Sequence, residues 1–339
     1  MATPTSTPTP TPDLPPEHPP AGPGLRGLSH ATWLGLAVSA VALAGVVWWA
    51  LHQEPPKFPD TPGEWADLGL AVLLYGFATV VRGERWQRLL EDEGARPHRI
   101  DSQCLNVVGY MGNNVLPARA GDAFRVVLMA PRAETSKRTV VGTLVAERVL
   151  DVAVIVAIFV IVGYAVLGEV GNGSVEAIGI ATVVLAAGAI GAYLLVRRNE
   201  RLHAFVAPLA SATLGLRRAH HGLLLLAMTV LVWGTEAGVW IAVGGAAGFP
   251  MDFVEGLYLV ALASIFSMIP SGPGYAGTQD TAVVVGIKAL GGSGSVAVSY
   301  IVLLRFVIVV PITLLGFVLL AARYGGLARL RAARTEARA

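Results

Sequence analysis

The residues of this 339-residue chain with the most chemistry to offer are charged side chains set inside otherwise apolar stretches. Glu147, Arg148 and Asp151 stand near the start of one apolar run, three and four positions apart, and so share a helical face. Glu236 lies near the centre of a second run with apolar neighbours on both sides; a carboxylate placed there takes up a proton or pairs with an arginine, because a bare charge in hydrocarbon is costly. Arg305 stands in a third run. Two further segments are interrupted by helix breakers. One reads Leu116-Pro117-Ala118-Arg119-Ala120-Gly121-Asp122, preceded by Asn113 and Asn114; the other reads Ile269-Pro270-Ser271-Gly272-Pro273-Gly274-Tyr275-Ala276-Gly277-Thr278.

These types point to recognition of a phosphate-bearing anion. The Arg119 guanidinium stays charged at any relevant pH and can pair bidentately with phosphate, the alternative being a structural bond to Asp122 or Glu147. Asn113 and Asn114 either line the same site as neutral donors or close the break with hydrogen bonds. A helix starting just after Gly121 or Gly277 aims its free N–H groups and positive dipole end at the break, which makes an anion site. Thr278 is the expected N-cap of the second such helix, and Asp122 could satisfy N–H groups of the first. Ser271, Gly272, Gly274 and Gly277 belong to the second tip and are placed with the same site. Arg125 is expected to approach the interface. By the helical rise, Arg148 falls about 29 Å from the outer end of its helix and Arg305 about 26 Å from the inner end of its own. The Glu147, Arg148 and Asp151 group thus reads first as an ion-pair cluster, and Arg305 as an anion contact or a snorkelling side chain.

Such residues need a bilayer around them. Hydrophobic residues make up 54% of the chain and charged ones 14%, with a mean hydropathy of +0.61, more apolar surface than a soluble fold can cover. Runs long enough to span recur at 31–51, 66–82, 139–167, 176–196, 222–246 and 296–322, which predicts six crossings. The segments 101–130 and 254–290 are too polar in the middle to be ordinary spans. Arg82, Arg85, Arg88, Arg96 and Arg99 fill one loop, and further arginines gather around 119–138, around 197–218 and at the C-terminus, whereas 52–65, 168–175 and 247–253 hold only Lys57. The positive-inside bias then puts both termini in the cytoplasm, with the chain in the plasma membrane. It also makes each broken segment enter and leave on one side. From Gly121 to Arg148 is 27 positions and from Gly277 to Arg305 is 28. The predicted fold is therefore all-α: a polytopic membrane protein of six transmembrane helices plus two re-entrant helical hairpins in an inverted repeat. Residues 1–24 read as a disordered Pro/Thr-rich tail, 25–323 as the membrane domain and 324–339 as a basic cytoplasmic tail. A net charge of +2 gives no field for nucleic acid, the single Cys104 reads as a small apolar side chain, and His203, His220 and His221 read as solvated.

In these motifs the chain resembles the flippase-like family that includes the transmembrane domain of bacterial lysylphosphatidylglycerol synthases. The likeness runs over about residues 30–323 and rests on Arg85-Trp86-Gln87-Arg88-Leu89-Leu90, Asn114 through Arg125, Glu147-Arg148-Val149-Leu150-Asp151, and Pro270 through Gly277 followed by the Arg305 helix. Ala118 stands where the family usually has Gly and Asp122 where it has Glu, and the second tip more often reads Pro-Gly-Gly-Leu-Gly in the family. The resemblance implies movement of an anionic phospholipid, or a polyprenyl-phosphate-type lipid, between leaflets. It implies no enzyme activity, no metal and no cofactor, and no aminoacylation, since no large soluble domain follows the last span. No Gly-rich loop ending in Gly-Lys-Ser or Gly-Lys-Thr is present, so transport is expected to run downhill or coupled to an ion. Two other classes stay open: a non-catalytic membrane partner of a glycosyltransferase or synthase, and a membrane-embedded transferase acting on a lipid phosphate.

Overall fold

The computed structural model describes residues 30–116, 120–168, 198, 219–267 and 272–325. The predicted span 176–196, the 1–24 tail, residues 326–339, and the site residues Arg119 and Ser271 lie outside the described residues. Those described form helices and one short 3-10 turn, with no strand among them: α1 (His30–Ala50), α2 (Pro62–Asp92), α3 (Arg99–Val115), α4 (Ala120–Met129), α5 (Lys137–Gly168), α6 (Ala219–Ala246), α7 (Phe253–Phe266), the turn Pro273–Tyr275, α8 (Thr278–Ala289) and α9 (Gly294–Tyr324). Three helices are long and apolar enough to cross a membrane, over Pro62–Asp92, His221–Ala246 and Gly294–Tyr324, and they fall on the predicted 66–82, 222–246 and 296–322. Predicted spans 31–51 and 139–167 coincide with α1 and α5.

Helix α2 starts on a capping box. Thr61 Oγ1 accepts from the Glu64 N–H at 3.2 Å, the Glu64 carboxylate accepts from the Thr61 N–H at 3.1 Å, and Pro62 follows the cap, where its missing N–H costs nothing. The helix continues well past the predicted end at 82, to Asp92, because Arg82, Arg85, Trp86, Leu89 and Leu90 recur at helical spacing and all turn inward. This corrects the expectation that Arg82 and Arg85 lie in a loop: they are 7% and 0% exposed.

The two broken segments are helical hairpins. In the first, α3 and α4 lie so close that a Cβ on Gly112 would stand 2.6 Å from the Gly121 Cα, and one on Gly121 would run into the Gly109 carbonyl oxygen. Gly121 is thus a packing residue, small so that two backbones can approach. Gly121→Ala is expected to cost about 1–3 kcal/mol through this overpacking. Thermal unfolding in detergent should show a lowered midpoint for that variant, while Gly69→Ala, with open space around it, leaves the midpoint unchanged or slightly raised. In the second hairpin α7 begins on a capping box of Asp252 and Glu255, and Gly286 of α8 lets Leu259 and Leu262 of α7 pack onto its backbone.

The hairpins are placed reciprocally. The entry arm of the first, α3, packs along α9, the long helix after the second hairpin; the entry arm of the second, α7, packs along α5, the long helix after the first. Helix α9 serves as a ruler. At its start Ser299 Oγ accepts from the Lys57 N–H at 2.8 Å. At its end Arg323 Nε and the Tyr324 hydroxyl both donate to Asp101 Oδ1, each at 3.0 Å. Halfway along, Arg305 binds the second hairpin tip, and Asn114 Nδ2 of the first donates to Thr313 Oγ1 at 3.1 Å. Both breaks therefore meet beside the middle of a membrane-length helix.

Candidate functional site

Where the tips meet, α2, α3, α5, α6 and the 3-10 turn, with parts of α7, α8 and α9, line a cavity of about 190 Å³. Its wall carries Tyr75 and Arg82 from α2, Tyr110, Asn113 and Asn114 from α3, Arg148 and Asp151 from α5, Trp233 and Glu236 from α6, and Gly274 and Tyr275 from the second tip. Irregular backbone closes it on one side. Gly274 has φ 60° and Tyr275 φ 56°, a conformation a tyrosine adopts only against strain, and such strain concentrates where a protein positions a ligand-facing group.

Under the cavity floor is a network of paired charges. Arg85 Nη1 donates to Asp151 Oδ1 at 2.7 Å and to Thr229 Oγ1 at 2.8 Å, and its Nη2 reaches Glu147 Oε1 at 3.2 Å. Arg125 Nη2 donates to the other Glu147 oxygen at 2.8 Å, its guanidinium 4.0 Å from the centroid of the Trp86 ring. Trp86 is held in turn by its Nε1 donating to Thr143 Oγ1 at 3.1 Å. Arg125 is 2% exposed, so the expectation that it approaches an interface is corrected; Glu147 draws it into the interior. The Glu147 and Asp151 cluster exists as read from the sequence, but its main cations come from α2 and α4 rather than from Arg148.

Glu236 is buried and paired, its Oε1 accepting from Arg82 Nη1 at 2.6 Å. Arg82 also sits 5.6 Å from the Trp233 ring and 5.9 Å from that of Tyr110. Arg148 meets Asp122 at 3.5 Å, with Asp122 also accepting weakly from Asn113 Nδ2 at 3.4 Å. Four guanidiniums, Arg82, Arg85, Arg125 and Arg148, thus face four carboxylates, Asp122, Glu147, Asp151 and Glu236. Among the described residues the site is charge-balanced, so a phosphate that takes one of these four guanidiniums takes it from a carboxylate. The pairs are not equal. Arg85 and Arg125 side chains are 0% and 2% exposed, whereas Arg148 is 36% exposed and meets Asp122 at 3.5 Å, which makes it the cation most readily exchanged. Asn113 is buried on the wall, its Oδ1 turned toward Gly121 and unmatched among the described residues.

Other predicted site residues act on the scaffold. Arg305 does not reach the cavity wall; its Nε and Nη2 donate to Asp280 Oδ1 at 2.9 and 2.7 Å and its Nη1 to the Gly274 carbonyl, which ties the second tip to α9. Neither an anion contact nor snorkelling describes it. Thr278 is the first helical residue of α8 rather than its N-cap, a place taken by Gly277, whose φ of 86° suits glycine alone and whose N–H donates to Asp280 Oδ2 at 2.8 Å. Gly272 precedes the 3-10 turn. Among the wall residues not singled out from the sequence are Tyr75, Arg82, Tyr110, Trp233 and Tyr275, and beneath them Arg85; the continued helical spacing of α2 was the signal that would have exposed both arginines. His221, expected to be solvated, sits with Nδ1 2.9 Å from Asp92 Oδ1 and is half exposed.

Comparison with known proteins adds two observations. A family model described as the lysylphosphatidylglycerol synthase TM region matches residues 32–316, close to the 30–323 over which the motifs were read. Part of the chain is similar to Glycosyltransferase AglD of Haloferax volcanii, at 29% identity over 177 residues, which is 51% of this chain and 27% of that protein. The chain thus spans about a quarter of that relative's length.

Proposed function

Because the chain belongs to the family of the lysylphosphatidylglycerol synthase TM region and is a multi-pass membrane protein, we propose that it translocates a phosphate-bearing lipid between leaflets, holding the headgroup in the cavity where the two hairpins meet. The lipid is an anionic phospholipid or a polyprenyl-phosphate-type lipid. The observation that carries this reading is the position of the cavity. Helix α9 has 31 residues, about 46 Å by the helical rise against about 30 Å of hydrocarbon, so a polar cavity at its midpoint sits near the bilayer centre. Broken backbone at that depth is tolerated only beside protein or a polar cavity, and a translocator needs such a place for a headgroup in transit.

In this reading the chain makes six crossings, and the hairpins are re-entrant from opposite faces. The reciprocal packing supports it, as does the run of α3 from the Arg323 end of α9 to its middle. The arginine-rich connections and both termini then face the cytoplasm across the plasma membrane. The protein is a carrier and not an enzyme, with exchange running downhill or coupled to protons through Glu236.

Purified protein in liposomes tests this through leaflet exchange of fluorescent phosphatidylglycerol beside fluorescent phosphatidylcholine. Phosphatidylglycerol exchange is expected to exceed both the protein-free rate and the phosphatidylcholine rate. No movement of any anionic lipid, with or without a proton gradient, overturns the reading. A second reading, a membrane partner for a glycosyltransferase, is favoured by the likeness to part of Glycosyltransferase AglD. Inert liposomes together with a glycosyltransferase that co-purifies with the chain and needs it for activity would establish that alternative.

A further inference from the structure

Beside the polar cavity lies a larger apolar groove. It measures about 830 Å³ and runs between α4 and α5, walled by Ala123, Val126, Val127, Leu144, Val145 and Val149 and their apolar neighbours. Among the described residues that line it, the polar ones are Asp122 and Arg148. Arg148 and Val152 line both spaces, so the groove and the cavity share a wall and the Asp122 to Arg148 pair stands at the junction.

We propose that this groove is the lateral portal of the protein and seats one hydrocarbon chain of a lipid whose phosphate enters the cavity by taking Arg148 from Asp122. The proposal rests on the translocation reading and adds to it where the chain travels and which cation hands the headgroup inward.

Three features fit this occupant. First, the order of polarity along the wall is that of a lipid: aliphatic side chains, then a guanidinium, then a cavity with neutral donors and aromatic rings. Second, the groove follows α5 from Val141 to Ala153, with about 10 Å of it between Val141 and Arg148 by the helical rise, room for much of the roughly 15 Å of hydrocarbon in one leaflet. Third, the wall is alanine, valine and one leucine, without an aromatic or polar side chain that would fix a protein helix in register; its single ion pair lies where a headgroup would sit. The junction pair suits exchange. At 3.5 Å and with Arg148 36% exposed it is the most exposed ion pair of the described site, Asp122 keeps Arg125 at 4.0 Å when Arg148 leaves, and phosphate offers the guanidinium two oxygens in place of one.

The test places a photo-reactive amino acid at Val145 in the groove or at Leu314 on the exposed face of α9, in the full chain reconstituted in vesicles of equal phosphatidylglycerol and phosphatidylcholine. At Val145 the yield of cross-linked phosphatidylglycerol over phosphatidylcholine is expected to be at least several-fold above the ratio at Leu314, which reports bulk lipid. Arg148→Ala is expected to bring the Val145 ratio down to the bulk value, while Arg88→Ala, on the surface beside Glu84, leaves it high. Equal ratios at the two positions, or cross-linking of Val145 to residues 176–196 of the chain itself, overturn the portal. The readout does not depend on transport: an enriched ratio without leaflet exchange removes the translocation reading and keeps the groove as a lipid site, whereas exchange with a bulk ratio at Val145 does the reverse.

Discussion

Arg85→Ala is expected to lower the stability of this protein by about 3–5 kcal/mol, because it leaves two carboxylates buried without their cation. Asp151 would lose its 2.7 Å bond and Glu147 one of its two arginines, in a place where the side chains are at most 10% exposed. Water cannot replace the guanidinium there, and protonating the carboxyls costs free energy at neutral pH. The loss comes from the stranded charges rather than from any strength of the pair, so it should shrink when they are removed together. Arg85→Met combined with Asp151→Asn, which leaves Glu147 paired with Arg125 at 2.8 Å, is expected to recover most of the stability. Arg88→Ala is the contrast: its partner Glu84 is 3.1 Å away but Arg88 is 39% exposed, and the change should cost below about 1 kcal/mol. Urea unfolding of the three variants in detergent, followed by tryptophan fluorescence, measures all three differences. An Arg85→Ala midpoint equal to that of Arg88→Ala would refute the account of the network.

Why Arg85 escapes a reading of the sequence is a matter of scale. Hydropathy registers an arginine as a cost and ends a span before it, which put residues 82–99 in a loop. The cost vanishes only once Asp151, Glu147 and Thr229, 62 to 144 positions away, converge on one guanidinium. No local pattern carries that convergence. The same limit hid Arg125, drawn inward by Glu147, and Arg82, drawn inward by Glu236. What depends on short range was legible: the apolar runs that become α1, α2, α5, α6 and α9, and the breaks between Val115 and Ala120 and around Pro273 that divide the hairpins. The near-equal offsets from Gly121 to Arg148 and from Gly277 to Arg305 pointed to a repeat, and the reciprocal packing of α3 on α9 and α7 on α5 fits one. The two arginines nonetheless differ in role. Arg305 has Asp280 and the Gly274 carbonyl within reach and is occupied by the tip, while Arg148 has only Asp122 at longer range and faces the cavity. A repeat preserves backbone placement, and the side chains around it decide which copy is left free to meet a ligand.

The second large effect concerns Arg82 and Glu236, whose pair is short, buried and on the cavity wall, and here stability and transport are expected to part company. Glu236→Leu strands Arg82. Its stacking near Trp233 and Tyr110 is worth about 0.5–2 kcal/mol and does not replace a carboxylate, so the single variant should lose about 3–5 kcal/mol. Arg82→Leu with Glu236→Leu removes both charges, and in apolar surroundings the double variant should unfold at or above the wild-type midpoint. Leaflet exchange of phosphatidylglycerol should fail in both variants, because the double one returns the fold but not the charged wall. Recovery of exchange along with stability would make the pair a structural device with no part in handling a headgroup. Recovery of neither would mean that the leucines do not fit the space, and Arg82→Met with Glu236→Gln, closer in shape to the native side chains, would then be the pair to compare. A proton gradient separates the remaining roles: wild-type exchange that responds to it, beside a Glu236→Gln variant that still exchanges phosphatidylglycerol but no longer responds, assigns the proton to Glu236, since Arg82 keeps its own at every accessible pH.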